Sequence, residues 1–322
     1  MNKKTKISII VATSFVLAGM ILFTSVMTIL GWDFKKLETA EFETSTYEIG
    51  EKFSSISIDA DTTDVVFVPS DNQECKVVCY TEKNIEHTVK VANDTLNINV
   101  DDQRKWYEQI SVITFSSSKI TVYIPSGEYQ SLTVNNSTGD VKIPDNFSFK
   151  NVNIDVSTGD INCKASVLEN VKIDTSTGDV ELYNAAAKSI DISTSTGDVI
   201  LGNVANGGSV SIECDTGDAT LNDCGASQIS ITTDTGDITL NRVVSTNAMT
   251  VKSDTGDVNF NACDAAELFV TTDTGDVSGA LLSDKIFIIS TDTGDIDVPE
   301  SVSGGKCKIT TDTGDVEIKI YK

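Results

Sequence analysis

The tripeptide Thr-Gly-Asp occurs ten times in this 322-residue chain, and successive copies are always 19 or 20 residues apart. Ten copies at so regular a spacing would not occur by chance, so the chain contains a structural repeat. Because each unit of a repeat array contacts only its neighbours, such an array forms one elongated domain. The turn glycines are Gly139, Gly159, Gly178, Gly197, Gly217, Gly236, Gly256, Gly275, Gly294 and Gly314.

The residues around each turn alternate between apolar and polar. Counted from the Gly, position −5 is Ile or Val in every repeat, from Val134 to Ile309, and positions −7, +2 and +4 are mostly apolar. This alternation predicts a strand, a tight turn and a second strand in each repeat. One such unit cannot bury its apolar face alone, whereas units stacked about 4.8 Å apart share a continuous core. The sequence therefore predicts an all-β fold, a single-stranded β-solenoid or β-helix of 19–20-residue coils.

An array of β-hairpins is the alternative fold, because residues −3 and +2 also suit cross-strand pairing at each turn. A two-residue Thr-Gly loop, however, is poor chemistry for the primed turns that join hairpin strands, which prefer Asn-Gly or a leading Gly. The turn chemistry favours the solenoid.

The N-terminus carries an uncharged run of 24 residues from Ile7 to Leu30. As a helix it extends about 36 Å, enough to cross the hydrocarbon core of a membrane. Lys3, Lys4 and Lys6 precede it, and basic flanks stay in the cytoplasm. The run predicts a signal anchor in the cell membrane, a single-pass span with an extracytoplasmic C-terminal domain. A cleaved signal peptide is the competing interpretation.

A degenerate repeat lies upstream of the ten turns. Ile56–Phe67 matches the same columns with Thr63 in place of Gly, 76 residues before Gly139, which is four repeats of 19. We expect an irregular β cap around it, with a hairpin turn at Asn93–Asp94, and we expect the Lys-rich last strand, Val316–Lys322, to protect the other edge. The predicted organisation is a cytoplasmic tail (1–6), a transmembrane helix (7–30), a linker (31–52), the cap (53–130) and the solenoid (131–322).

The run Ile120–Pro125, followed by Leu132–Val134 and Ser137–Val141 and then by the repeats, resembles the bacterial "putative adhesin" family of β-strand-repeat proteins, DUF4097. The resemblance covers Phe53 to Lys322. It implies a β-helical extracytoplasmic domain, often on a membrane anchor, and a surface structural, binding or adhesive role. Some relatives lie beside envelope-stress signalling genes, so an accessory role in cell-envelope stress sensing is the alternative.

The charge balance limits the partners of the chain. A formal net charge of −24 disfavours nucleic acid, because phosphate binding requires Lys and Arg. An acidic surface suits cations or basic partners, and the partner at the cell surface, a polymer or a protein, is not named by the sequence.

Catalytic residues are not predicted. Asp-Thr-Gly also occurs at aspartic-protease sites, but those need two converging carboxylates, and a motif repeated once per coil indicates architecture. His87 is the only His and has no partner motif, and the irregular patch at Arg104, Lys105 and Trp106 is equally suited to packing in the cap. The chain is therefore predicted to be non-enzymatic.

The seven cysteines form no CxxC motif. Cys224 and Cys263 occupy the same column two repeats apart, about 9.6 Å in a stack, which is too far for a disulfide. We expect most of the cysteines to be buried thiols.

Aspartates form two columns at the turns. Position +1 is Asp in all ten repeats, and position −2 is Ser in the first four and Asp in the last six. Each carboxylate can accept backbone N–H bonds at its corner. Alternatively, the doubly acidic half could bind Ca²⁺, which takes several oxygen ligands. This calcium prediction concerns Asp215, Asp218, Asp234, Asp237, Asp254, Asp257, Asp273, Asp276, Asp292, Asp295, Asp312 and Asp315, and Ca²⁺ is the one cofactor considered.

Overall fold

The computed structural model describes residues 3–37, 41–71, 73–83, 85–102, 116–205 and 207–321. Residues Lys3–Ile29 form helix α1, and a short 3-10 helix at Phe34–Leu37 follows it. Within the described residues, the 25-residue segment Thr5–Ile29 is the one helix long and apolar enough to cross a membrane. Its length, composition and N-terminal position are compatible with a single-pass anchor and with a signal peptide.

The rest of the regular structure is β. The N-terminal strands are β1 (Phe42–Ile49), β2 (Ser55–Asp59), β3 (Asp64–Ser70), β4 (Cys75–Glu82), β5 (Ile85–Ala92), β6 (Thr95–Asp102) and β7 (Lys119–Pro125). The strands of the repeats are β8 (Gly127–Thr138), β9 (Val141–Ile143), β10 (Phe147–Thr158), β11 (Ile161–Cys163), β12 (Ser166–Thr177), β13 (Val180–Tyr183), β14 (Ser189–Thr196), β15 (Val199–Ala205), β16 (Ser209–Thr216), β17 (Ala219–Ala226), β18 (Gln228–Thr235), β19 (Ile238–Asn241), β20 (Val244–Thr255), β21 (Val258–Thr274), β22 (Val277–Leu281), β23 (Lys285–Thr293), β24 (Ile296–Asp297), β25 (Gly305–Thr313) and β26 (Val316–Ile320).

Each repeat is one coil of a parallel stack. Before the turn, Ile154 pairs with Val134 on one side and with Ile173 on the other. After the turn, Ile161 pairs with Val141 and with Val180 in the same in-register manner. The strands on the two sides of a turn therefore belong to two different sheet faces rather than to a hairpin. The β-solenoid prediction is confirmed, and the hairpin-array alternative is wrong for the repeats.

The core lies between these two faces. Side chains of the −7, −5 and +2 columns point inward, and Ile154, Ile173, Val180 and Ile192 are fully buried. Fully burying one such side chain stabilises the fold by about 1.5–3 kcal/mol. Because identical columns stack at every level, the same β-branched shapes pack against one another along the whole array.

A second corner follows the Thr-Gly-Asp turns of the third to seventh repeats and was not predicted. Six residues after the Gly, the chain takes a left-handed conformation with φ of 54–60°, which lets it leave the second face. Asn and Asp tolerate this conformation best, and they fill three of the five positions. The residues are Asn184, Asn203, Asp223, Arg242 and Ala262. Neighbouring corners are joined by side chains, since Nδ2 of Asn203 donates to Oδ1 of Asn184 at 2.7 Å.

At the N-terminal end, spatial order departs from chain order. The degenerate repeat stacks directly on the first Thr-Gly-Asp coil, because Ile56 pairs with Leu132 and Val65 pairs with Val141. The degenerate repeat therefore forms the level next to the first Thr-Gly-Asp coil, although the 76 residues between Thr63 and Gly139 equal four repeats. Strands β6 and β7, which come later in the chain, lie outside it as the next level.

Antiparallel strands close this end. Strand β5 folds back on β6 through Asn93 and Asp94, whose φ values of 51° and 61° are those of a type I′ turn, so the predicted hairpin is confirmed. On the other face β4 pairs antiparallel with β7, and β1 pairs antiparallel with β4. Strand β1 lies in the range that the sequence treats as linker, because its alternating residues join the cap sheet.

At the C-terminal end, the last two repeats exchange places. Ile309 of the tenth repeat pairs with Val270 of the eighth on one side and with Ile289 of the ninth on the other. The tenth repeat is thus inserted between the eighth and the ninth. The prediction that the Lys-rich last strand protects the edge is wrong, because β23 and β24 of the ninth repeat form the last level.

Candidate functional site

The Thr-Gly-Asp corners form a continuous ridge along the stack. All ten turn glycines have positive φ between 133° and 158°, a region that L side chains rarely adopt. A Cβ at Gly178 would lie 2.1 Å from the carbonyl oxygen of Gly159, and the other nine glycines are equally close to a neighbouring backbone. The glycines are therefore required both by conformation and by the close approach of adjacent coils.

The aspartate after each glycine bonds to the neighbouring coil. Oδ1 of Asp140 accepts a hydrogen bond from the backbone N–H of Asp160 at 3.1 Å, and Oδ1 of Asp160 accepts one from Asp179 at 3.0 Å. The relay begins at Asp64 of the degenerate repeat and ends at Asp295, with every distance between 2.7 and 3.1 Å. We call this series of bonds the aspartate relay.

The relay follows the spatial order of the coils. Asp315 of the tenth repeat donates its N–H to Asp276 of the eighth, and Asp295 of the ninth donates its N–H to Asp315. The pKa of Asp140, the carboxylate of the first Thr-Gly-Asp turn, lies below its ordinary value. Partial burial raises this pKa, but the hydrogen bonds from Lys142 and from the N–H of Asp160 lower it by more.

A third column completes the corner, and sequence reasoning missed its role. Three residues before the Gly, each of the fourth to tenth repeats has a Thr, Ser or Cys beneath the turn that donates to a Gly carbonyl of the adjacent coil. Thr233 donates to Gly217 at 3.2 Å, Thr291 to Gly314 at 3.1 Å, and the Cys214 thiol to Gly197 at 3.3 Å. The sequence feature that could have identified this column is the recurring Thr, Ser or Cys at an inward position, where an apolar residue is otherwise expected.

Together these contacts explain the tripeptide. The Gly–Asp peptide group is rotated out of the ladder, so its C=O points inward and its N–H points outward. A buried polar group without a partner costs about 1–3 kcal/mol. In the fourth to tenth repeats the −3 side chain satisfies the C=O, and along the stack the aspartate relay satisfies the N–H.

The −2 aspartates lie on the solvent side of the ridge. Five of the six are exposed, and Asp254 is half-buried and accepts a hydrogen bond from Lys252 at 2.6 Å. Among the residues that the structure describes, no group of three or more His, Cys, Asp or Glu side chains is arranged to hold a metal ion. The twelve aspartates of the calcium prediction thus divide into six +1 residues that belong to the relay and six −2 residues on its solvent side, and Ca²⁺ binding stays a prediction.

The remaining candidates lie away from the ridge. All seven cysteines are free and buried, as predicted, and burial raises the pKa of Cys163 to about 12, so this thiol is unreactive at neutral pH. His87 lies on β5 in the cap, and its Nε2 is buried without a hydrogen-bond partner among the residues that the structure describes. Arg104, Lys105 and Trp106 lie outside the described residues.

A family model described as Toastrack DUF4097 matches residues 53–211 and 205–322, so the family resemblance predicted from the sequence is confirmed. Comparison with curated proteins gave no significant match.

Three solved structures are similar to this chain at low sequence identity. A "putative adhesin" from Bacteroides fragilis is 15% identical, with 87% of this chain and 97% of that chain covered and a TM-score of 0.42. A "putative lipid binding protein" from Parabacteroides distasonis is 14% identical, with 88% and 98% covered and a TM-score of 0.46. A "putative adhesin" from the same species is 12% identical, with 87% and 98% covered and a TM-score of 0.46.

Proposed function

The chain belongs to the Toastrack DUF4097 family, and we propose that it is a non-enzymatic binding module, an adhesin in the broad sense, held on the outer surface of a membrane by its N-terminal helix. The observation that carries this proposal is the aspartate relay. Because the repeated carboxylates bond to the backbone of the next coil, the repeated motif serves architecture. The function is then left to the side chains that the two faces and the ends of the stack present to solvent.

The position of the helix supports a surface role. Helix α1 leads into β1, which forms one end of the sheet order, and β24 forms the other end. The ten repeats extend about 48 Å at the usual strand spacing. An anchor at the β1 end therefore leaves the ninth repeat at the end remote from the point of attachment. The basic residues before the helix favour the outer side for everything that follows it.

Deletion of the gene tests the proposal. We expect cells without the chain to lose attachment to a matrix-coated or cell-coated surface, and re-expression of the full chain to restore it. External protease should degrade the solenoid in intact cells and spare α1. Unchanged attachment would contradict the adhesive role, and if expression of envelope-stress genes changed instead, the result would favour the signalling alternative.

A further inference from the structure

The two ends of the solenoid differ in whether other strands cover them. At the N-terminal end, antiparallel strands β4 and β5 cover the stack, and Tyr47, Phe53 and Val89 pack against its core. At the other end, β23 pairs only with β25 and β24 pairs only with β26 within the described residues. The outer edges of β23 and β24 therefore present unpaired backbone N–H and C=O groups, which is the feature that recruits another strand.

The core is also open at this end. Ile296 occupies the +2 column and is 50% exposed, although the other nine residues of that column are at most 1% exposed. The inward residues Phe287 and Ile289 of β23 are half-buried. The outward Ile286 and Ile288 add exposed apolar surface beside them, and Val302 in the following loop is 98% exposed. Solenoids normally shield such an end with a polar capping repeat. We call the ninth repeat, residues 282–303, the open end.

The open end is held in place by a specific contact. Lys285 pairs with Gly305 of the tenth repeat in the sheet, yet its buried ammonium group reaches the eighth repeat, where it bonds to the Asp264 carboxylate and donates to the carbonyl of Ala265 at 2.7 Å. A Cβ at Gly305 would lie 2.0 Å from the carbonyl oxygen of Ala266, so the glycine allows the three repeats to approach. An ion pair of this kind fixes register, and here it fixes the ninth repeat as the last level.

The charges around the open end select the partner. Five exposed carboxylates lie in this repeat, and its one basic residue, Lys285, is buried in the ion pair described above. A second copy of the chain would bring the same acidic rim, and opposed like charges disfavour such a contact. A strand with basic residues would gain from it. The carboxylates belong to Asp284, Asp292, Asp295, Asp297 and Glu300.

We propose that the open end binds a partner protein that adds an extended strand to β23, with apolar side chains covering the core beside Phe287 and Ile289 and Lys or Arg side chains on the outward face, next to the acidic rim. The inference rests on the proposed binding function, for which it names the surface and the class of partner. Backbone hydrogen bonds to the edge supply affinity, and the rim supplies selectivity for a basic strand over an acidic one.

The test uses the full chain in detergent micelles and two synthetic peptides, one of alternating Lys and Val and one of alternating Glu and Val. Ile288→Lys places a positive charge on the edge strand. Ser230→Lys places the same charge at the same column position in the sixth repeat, and it is the matched control. We expect the Lys–Val peptide to bind the wild type and S230K alike and to bind I288K at least tenfold more weakly, and we expect the Glu–Val peptide not to bind.

Equal binding of the Lys–Val peptide to wild type and I288K, or no binding to either, would overturn the proposal. Concentration-dependent dimers of the wild type that disappear in I288K would show that a second copy occupies the open end, and they would overturn it too. In the attachment assay, deletion that abolishes attachment while I288K attaches normally would refute only this inference. If the deletion strain also attaches normally, the proposed function itself is refuted.

Discussion

Oδ1 of Asp198 accepts the backbone N–H of Asp218 at 2.8 Å, across the boundary between two coils. The same contact recurs along the aspartate relay, so one exposed side chain per repeat helps to hold each level on the next. An exposed carboxylate usually contributes little to stability, but here it satisfies a donor that the rotated Gly–Asp peptide removes from the sheet. The relay is a structural device whose loss can be measured one coil at a time.

Asp198→Ala should weaken the stack locally. Loss of the acceptor leaves the N–H of Asp218 to water, at a cost of about 1 kcal/mol. We expect amide exchange at Asp218, followed by hydrogen–deuterium exchange mass spectrometry, to accelerate about 5-fold. Asp191→Ala removes an exposed carboxylate from an outward position of the same repeat and is the control. Equal exchange in the two variants would show that the relay does not hold the turn.

Gly217→Ala should be among the most damaging single substitutions in the chain. The residue has φ of 144°, and a Cβ would lie 2.2 Å from the carbonyl oxygen of Gly197, so strain and collision act together. We expect a loss of about 3 kcal/mol or more, seen as a lower midpoint of thermal unfolding by circular dichroism. Gly225→Ala is the control, because a Cβ added there would have no atom of another described part of the chain within 4 Å. Similar midpoints for the two variants would contradict the role assigned to the turn.

The N-terminal cap should lose stability on acidification because of His87. Burial lowers the pKa of this imidazole, so the folded state binds fewer protons than the unfolded state below the ordinary pKa of about 6.5. The free energy of unfolding should be unaffected by His87 above that pH and should fall as the pH drops toward the lowered pKa. Between pH 7.5 and 5, denaturant unfolding of His87→Gln should show a shallower decline than the wild type. Identical slopes would exclude the histidine as the cause.

The calcium prediction can be tested on the doubly acidic repeats. If the −2 and +1 columns bind Ca²⁺, calorimetric titration of the full chain in micelles should give saturable heat, and the midpoint of unfolding should rise. A variant with Ser at all six −2 positions should lose both effects, as the first four repeats already have Ser there. A wild type that shows neither heat nor a higher midpoint would contradict the prediction.

Much of the solenoid could be predicted because its information is local and repeated. A two-residue period, as in Val134 and its column, identifies inward positions, and a Gly before Asp identifies a corner. The second corner was harder to find, because its left-handed position holds residues as different as Asn203, Arg242 and Ala262. The role of Thr233 and its column was hidden for another reason: a buried hydroxyl reads as a break in the apolar pattern until its carbonyl partner is known.

The order of the repeats could not be predicted at all. The eighth, ninth and tenth repeats have interchangeable columns, so any stacking order buries the same kinds of side chain. What distinguishes the observed order lies in contacts between distant residues, such as Lys285 with Asp264. The Lys at position −9 of the ninth repeat carries no sequence signal about this order, because Lys150 and Lys188 occupy the same position in the second and fourth repeats.

Engineered disulfides provide a direct test of this order. Phe269 and Ile288 occupy the same outward column in the eighth and ninth repeats, and consecutive stacking would make them neighbours. In the structure each pairs with Lys308 of the tenth repeat instead, which leaves two levels, about 9.6 Å, between them. We expect the Phe269→Cys/Lys308→Cys and Ile288→Cys/Lys308→Cys variants to form disulfides on mild oxidation, seen by mass spectrometry of peptides. Phe269→Cys/Ile288→Cys should remain reduced, because a disulfide spans less than about 7 Å between Cα atoms. The native thiols are buried and should stay unreacted in all three variants. Ile288 and Lys308 are neighbours in either order, so the second variant is the positive control. A disulfide in the third variant and none in the first would establish consecutive stacking and would place the tenth repeat, not the ninth, at the last level.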